Sequence, residues 1–274
     1  MYKLIAIDMD GTLLKEDKTI STKTKEALKR AREEGVKIVL TTGRPIQGIK
    51  NYLNELQLIG EDDYVIGLNG ALICKCSDYS IISSNETLNG KDLKYIYNKV
   101  KELKTYFHAF TKNEDLVNIE SKFSEDEEKR INLKVRKVNF LTEINDDDEI
   151  LKAVLEEEKD ILDKVTSQIP KELFEEYSVI RSVDFMIEFM KKGCNKATGI
   201  EKLAKHLGIS KEEIIAIGDA SNDKEMIEYA GLGVAMGNAE DEIKMLANFI
   251  TKSNEEDGVA YVIDKFIIND VEKY

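Results

Sequence analysis

The chain is short of cysteine, of positive charge and of long apolar runs, and each shortage closes a class of function. Three cysteines occur in 274 residues, Cys74 and Cys76 nearly adjacent and Cys194 far away. That spacing supports no disulfide framework and lacks the four-ligand pattern of a zinc site, so all three read as ordinary residues. No apolar stretch approaches the roughly 20 residues that cross a bilayer, and no basic-then-apolar leader precedes Lys3. The expectation is therefore a cytoplasmic protein with no membrane partner. With 40 basic against 53 acidic residues the net charge is −13, the opposite of the basic footprint that nucleic acid demands. The same deficit sets a condition. An anionic substrate must find positive charge built into its site, because the overall field repels it.

What is present is a strand-and-helix rhythm. Residues 3–8 read as a buried strand, Ser21 or Thr22 caps a helix stopped by Gly35, and Val36 to Leu40 is a second strand closing on Thr41-Thr42-Gly43-Arg44-Pro45. A helix pattern covers Ile46 to Leu56, and Tyr64 to Leu68 is a third strand ending at Asn69-Gly70. Such alternation is the mark of a parallel α/β sheet. From about Ser84 to Met190 the strands turn amphipathic and irregularly spaced, as in Ile131 to Val138 and Leu151 to Leu155, with Glu143 to Glu149 a solvated loop. This predicts an α+β segment with one exposed sheet face. After Gly193 the first rhythm returns: Lys196 to Leu207 is a helix stopped by Gly208, Ser210 and Glu213 fit a capping box, and Ile214 to Ile217 is a strand ending on Gly218-Asp219. A helix from Asp223 to Tyr229, a strand from Leu232 to Met236 and a closing helix over 257–267 follow. The expected architecture is one α/β domain, residues 1–83 and 191–274, interrupted by an α+β domain, residues 84–190.

Ligands of doubly wound sheets bind outside the carboxyl ends of the strands. Three apolar strands here end in Asp8, Thr42 and Asp219, and Lys196 opens a helix at the same rim. A strand alternates its faces, so Asp8 and Asp10 project from the same side, and two carboxylates so placed resist ionising together unless a cation joins them. Asp223, one helical turn past Asp219, can join the group. Carboxylate oxygens without a cysteine or histidine set select a hard cation, and Mg²⁺ suits few protein ligands. A lysine, a threonine hydroxyl and backbone amides suit a dianionic phosphate. Asp8 can then attack phosphorus, while Asp10 protonates the leaving alcohol and later deprotonates water.

Asp8-Met9-Asp10-Gly11-Thr12, Thr42-Gly43-Arg44, Lys196 within GCNKATGI and Gly218 to Asp223 (GDASND) resemble, in order, the four motifs of the haloacid dehalogenase (HAD) superfamily. The tail GVAMGNAEDEIKMLANFITKSNEEDGVAYVI is similar to the Cof-type branch, phosphatases of sugar phosphates and other small metabolites. The resemblance implies a Rossmann-like core with a large α+β cap inserted after the second motif. Thr42 and Lys196 lie 154 positions apart, which leaves room for that cap, and Asp8 and Thr42, 34 positions apart, do not. It further implies Asp8 as nucleophile and Mg²⁺ ligand, and Asp10 as acid/base with its backbone carbonyl on the metal. Asp219 would be the remaining protein ligand, with Asp223 supporting metal and lysine. The phosphate would contact the Met9 amide, Thr42, Gly43, Lys196 and Asn222.

Singly, these signals have bland readings. A DxD after a strand is often a turn or an N-cap, and TGRP is a turn signal. Four such motifs, each at an element end, are not explained that way. Arg44 reads either as a substrate guide or as a surface ion pair. His108 in YFHAF reads as core, cap-interface or substrate-facing, the aromatics around it as core, and His206 as a solvated or helix-terminal residue. The lead expectation is a Mg²⁺-dependent phosphatase of small phosphorylated metabolites, sugar phosphates foremost. A phosphomutase of related fold and a non-catalytic phosphometabolite-binding regulator are the alternatives, the latter disfavoured by the intact Asp8 and Asp10.

Overall fold

A computed structural model describes residues 1–84, 87–121 and 134–268. The chain divides into two compact units, Met1–Ser84 with Asn195–Tyr274, and Asn85–Cys194.

The first unit is built on an eight-stranded sheet in the order Phe249–Ile250, Leu232–Ala235, Ile214–Gly218, Leu4–Ile7, Lys37–Thr41, Tyr64–Gly67, Leu72–Lys75 and Ile81–Ser84. The first six run parallel, and the last two add an antiparallel edge. Leu4–Ile7 is central and has no exposed residue, which is why it reads as an unbroken apolar run rather than an alternating one. The chain leaves this strand to one side for Lys37–Thr41, while Ile214–Gly218 lies on the other, so the strand order switches at Leu4–Ile7.

Local rules account for the helices around it. Ser21 caps Thr22–Glu33 by accepting from the Thr24 amide, and Gly35 follows at φ 81°. Asn195 caps Lys196–Leu207 through a reciprocal capping box with Thr198, and Gly208 ends it in the left-handed region. The Ser210–Glu213 capping box serves only the single 3₁₀ turn Lys211–Glu213. The chain closes with the helix Gly258–Ile263 and a π turn, Asp264–Ile268.

The second unit is the α+β insertion. Its six-stranded sheet runs Tyr177–Val183, Met186–Lys191, Lys152–Glu156, Tyr106–Phe110, Glu114–Val117, Lys134–Lys137, antiparallel except for the last pair. Of the strand expected over 131–138, residues 131–133 lie outside the described residues. One sheet face packs Phe107, Leu155 and Phe189 against helix residues such as Leu93, Ile96 and Leu162. The opposite face corrects the expectation of an exposed surface. His108, Lys152, Glu156 and Glu188 are buried there, the first between Asp115 Oδ2 (3.1 Å) and Glu156 Oε2 (3.2 Å), while Lys152 pairs with Glu188. Alternation reads charged positions as solvent-facing, but paired charges tolerate burial.

Among the described residues no helix is long and apolar enough to cross a membrane. All three cysteines are buried.

Candidate active site

The carboxyl ends of the central strands place the chemistry. Asp8 follows Leu4–Ile7, Thr42 follows Lys37–Thr41, and Asp219 follows Ile214–Gly218. Lys196 is the first residue of its helix and is fully buried, its ammonium 2.5 Å from Asp8 Oδ1 and 2.5 Å from Asp223 Oδ1. Asp223 uses its other oxygen to accept from the Asp219 and Ala220 amides at 3.0 and 3.1 Å, so it fastens the loop that carries Asp219. Thr12 Oγ1 donates to Asp219 Oδ1 at 2.7 Å across 207 residues of sequence. Thr12 was visible in the sequence as part of a motif, but nothing local pointed to this partner.

Electrostatics follow from burial. The Asp8 carboxyl is raised well above the usual carboxylate range, first by burial and then by Asp223, against the opposing pull of Lys196. Asp219 is pushed up to about 7, again by burial and then Asp223, although the Thr12 hydroxyl favours its charged form. Burial would lower the Lys196 ammonium, but Asp223 and Asp8 outweigh it and raise it. Oxygens of Asp8, Asp219 and Asp223 lie within 4.8 Å of one another. Three clustered carboxylates facing one lysine leave negative charge in surplus, and the donors are all oxygen. The cluster therefore fits a hard divalent cation of the Mg²⁺ kind.

Asp10 is not part of this cluster. The strand ends at Ile7, so face alternation does not carry through to Asp10, which forms an isolated bridge with Leu14. Arg44 grips its carboxylate with Nε on Oδ2 (2.7 Å) and a terminal nitrogen on Oδ1 (2.6 Å), and Lys18 adds a bond at 2.8 Å. Burial would raise the Asp10 carboxyl, but Arg44 and then Lys18 prevail and lower it to about 2. Arg44 thus forms an ion pair, and its guanidinium also lies 5.6 Å from the centre of the Tyr52 ring. Lys18, 10 residues beyond Asp8 in a turn, carries no sequence signal of its own.

The remaining expected residues are close by. Thr42 is buried, and its Oγ1 accepts from the Arg44 amide at 3.1 Å. Met9 is buried, and its carbonyl accepts from the Leu14 amide at 2.8 Å. Asn222 Nδ2 donates to Asn69 Oδ1 at 3.1 Å, and Asn69 also lies against Gly43. Sequence reasoning passed over Asn69; its only trace was an Asn-Gly pair after a strand. His206 sits in the last turn of its helix with its ring edge-on to Tyr64.

Gly11 shows how tightly the loop is drawn. Its φ is 82°, and a Cβ there would fall 2.2 Å from Asp219 Oδ2. Gly11→Ala must strain the left-handed backbone, by roughly 1–2 kcal/mol, and displace Asp219 as well. The expected outcome is a lower melting temperature, read by thermal melts against the wild type. An unchanged melting temperature would show that the loop does not depend on this contact.

The comparisons with known proteins agree with one another. The family model described as haloacid dehalogenase-like hydrolase matches residues 5–263. The Bacillus subtilis (strain 168) protein YxeH, whose name gives phosphatase as a provisional activity, is 42% identical over 98% of this chain and 99% of its own. From the same organism, the 5-amino-6-(5-phospho-D-ribitylamino)uracil phosphatase YitU is 32% identical over 96% of this chain and 97% of its own. The solved structure of BT4131, described as a HAD subclass IIB sugar phosphatase, superposes with a TM-score of 0.81 at 26% identity, covering 96% of this chain and 98% of that one. With the core sheet, the inserted α+β unit and the Asp8–Lys196–Asp219 cluster in place, the chain belongs to the haloacid dehalogenase-like hydrolases.

Proposed function

We propose that the chain is a Mg²⁺-dependent phosphatase of small phosphorylated metabolites, sugar phosphates foremost, working through an aspartyl phosphate on Asp8. The observation that carries this reading is the buried contact between the Asp8 carboxylate and the Lys196 ammonium, 2.5 Å long, beside Asp219 at the rim of a parallel sheet. The relatives named for phosphatase activity and the sugar-phosphatase structure support the substrate class. We take residues 84–190 as the inserted cap of the family.

In this reading one Asp8 oxygen attacks phosphorus, the bond to the leaving oxygen breaks, and Lys196 offsets charge on the non-bridging oxygens. Thr42, Asn222 and the Met9 and Gly43 backbone hold the phosphoryl group in line. Asp10 gives its proton to the leaving alkoxide and then takes one from the water that releases phosphate from Asp8. A carboxyl held at about 2 is ionised at neutral pH, so Asp10 must part from Arg44 and Lys18 before it can carry that proton. Asp8, Asp219 and the Asp10 backbone carbonyl would hold Mg²⁺, which when bound supplies positive charge to the phosphoryl oxygens.

The direct test is a panel of phosphorylated sugars, polyols and nucleotides with Mg²⁺, read by orthophosphate release. Turnover of sugar phosphates is expected. No release from any member would end the phosphatase reading.

Metal binding should also track pH. Asp8 and Asp219 bind protons in the fold at pH values where an unfolded aspartate, near 3.8, has lost them. For such raised groups, stability without metal falls as pH climbs from about 4 to about 7. A cation needs the deprotonated acids, so its affinity rises over the same interval. The expected result is a larger Mg²⁺-induced gain in melting temperature at pH 8 than at pH 5.5. A gain independent of pH would contradict this coupling.

A further inference from the structure

After the strand Tyr64–Gly67, three consecutive residues take left-handed φ: Leu68 at 52°, Asn69 at 49° and Gly70 at 96°. Glycine enters that region freely and asparagine at modest cost, but leucine is a true outlier there. Strain of this kind persists only where the surroundings impose it, and it gathers at functional sites. Here the surroundings are three elements of the candidate site. The Leu68 and Asn69 amides donate to the Arg44 and Thr42 carbonyls at 3.1 and 2.9 Å, stitching the turn to the Thr42-Gly43-Arg44 loop. Gly70 abuts the N-cap of the Lys196 helix so closely that a Cβ would lie 2.0 Å from the Asn195 carbonyl oxygen. The fully buried Asn69 side chain reaches the third element, accepting from Asn222 Nδ2 at 3.1 Å. It also covers Gly43, where a Cβ would come within 3.0 Å of Asn69 Nδ2.

We propose that Asn69 is a positioning residue that holds Asn222 and the Thr42–Gly43 loop at the spacing a phosphoryl group requires. The proposal rests on the phosphatase reading, in which Asn222, Thr42 and Gly43 bind phosphate. Asn69 touches no reacting atom in it. Asparagine meets both demands of the position: it tolerates the left-handed backbone, and its carboxamide supplies the acceptor for Asn222. Glycine would keep the backbone and lose the carboxamide. Aspartate would keep shape, backbone and acceptor, but add a negative charge beside an incoming anion.

Those two variants separate positioning from packing. The probe is orthovanadate with Mg²⁺, its affinity measured by calorimetry, alongside kcat and KM on the best phosphomonoester. Asn69→Gly is expected to weaken vanadate binding and kcat/KM about tenfold, the size of a lost hydrogen bond to a working group. Asn69→Asp should bind vanadate more weakly still, although it preserves packing better. In a double-mutant cycle, Asn69→Gly should add less to Asn222→Ala than it costs alone, since its side-chain hydrogen bond acts through Asn222. Wild-type affinity in Asn69→Gly, or effects that multiply fully in the double variant, would each overturn the positioning role. A wild-type chain that neither binds vanadate nor releases phosphate would overturn the phosphatase reading, and the proposal with it.

Discussion

Asp8→Asn is expected to abolish phosphate release while leaving the fold as stable as the wild type or more so. The amide matches the carboxylate in size but cannot attack phosphorus to form an acyl phosphate, so the loss should reach at least about 10³-fold in kcat. Stability should not follow activity. The buried Asp8 carboxylate sits beside Asp223 and Asp219, and its raised pKa shows that the fold disfavours its charge. Removing that charge relieves repulsion, and Lys196 keeps Asp223 as its counter-ion at 2.5 Å. A dead enzyme whose melting temperature is unchanged or raised cannot owe its inactivity to misfolding. This is the pattern of a residue kept for chemistry at some cost in stability. Undiminished turnover in Asp8→Asn would sink the mechanism.

Lys196→Met is expected to do the opposite to stability and the same to activity. The lysine side chain is completely enclosed, and its ammonium is the cation shared by Asp8 and Asp223. Taking it away leaves two buried carboxylates without their counter-charge, a change that costs about 3–5 kcal/mol. In a domain of this size that corresponds to a fall in melting temperature on the order of 10 °C at pH 8 without metal. The sign of its pH dependence follows from the acids. Without the lysine their folded-state pKa values move further above the unfolded value, so the penalty applies at high pH and fades as they take up protons. The deficit should therefore shrink toward pH 5, and Mg²⁺ at pH 8 should restore part of it. Melts across pH in EDTA and in Mg²⁺ check this. A variant as stable as the wild type at pH 8 would refute the buried ion-pair account.

The sequence by itself determined the elements and the kinds of group at their ends. Leu4–Ile7 is buried on both faces, and a strand in the middle of a parallel sheet can only be an apolar run. Lys196–Leu207 carries its start and stop in Asn195 and Gly208, and the Ser210–Glu213 box announces its own short turn. These features were legible because each depends on neighbours within about four residues. That Asp8, Thr42, Lys196 and Asp219 would meet could be argued too, since strand ends of a wound sheet share a rim.

Tertiary structure alone decided the partners. Asp10 faces Arg44 and Lys18 rather than Asp8, because the strand stops at Ile7 and periodicity no longer governs direction. Thr12 bonds Asp219 across 207 residues, and Asn69 bonds Asn222 across 153. No local rule puts Leu68 at a positive φ; only the hydrogen bonds to the Thr42–Arg44 loop and the packing of Gly70 on Asn195 account for it. In the inserted unit, the sheet face expected to be exposed carries buried Lys152, Glu156, Glu188 and His108, paired with one another and with Asp115. Residue type and spacing specify what a segment can form, because the competing conformations are local. Which charge meets which, and which backbone is forced to strain, depends on groups far apart in sequence that only the packed sheet brings together.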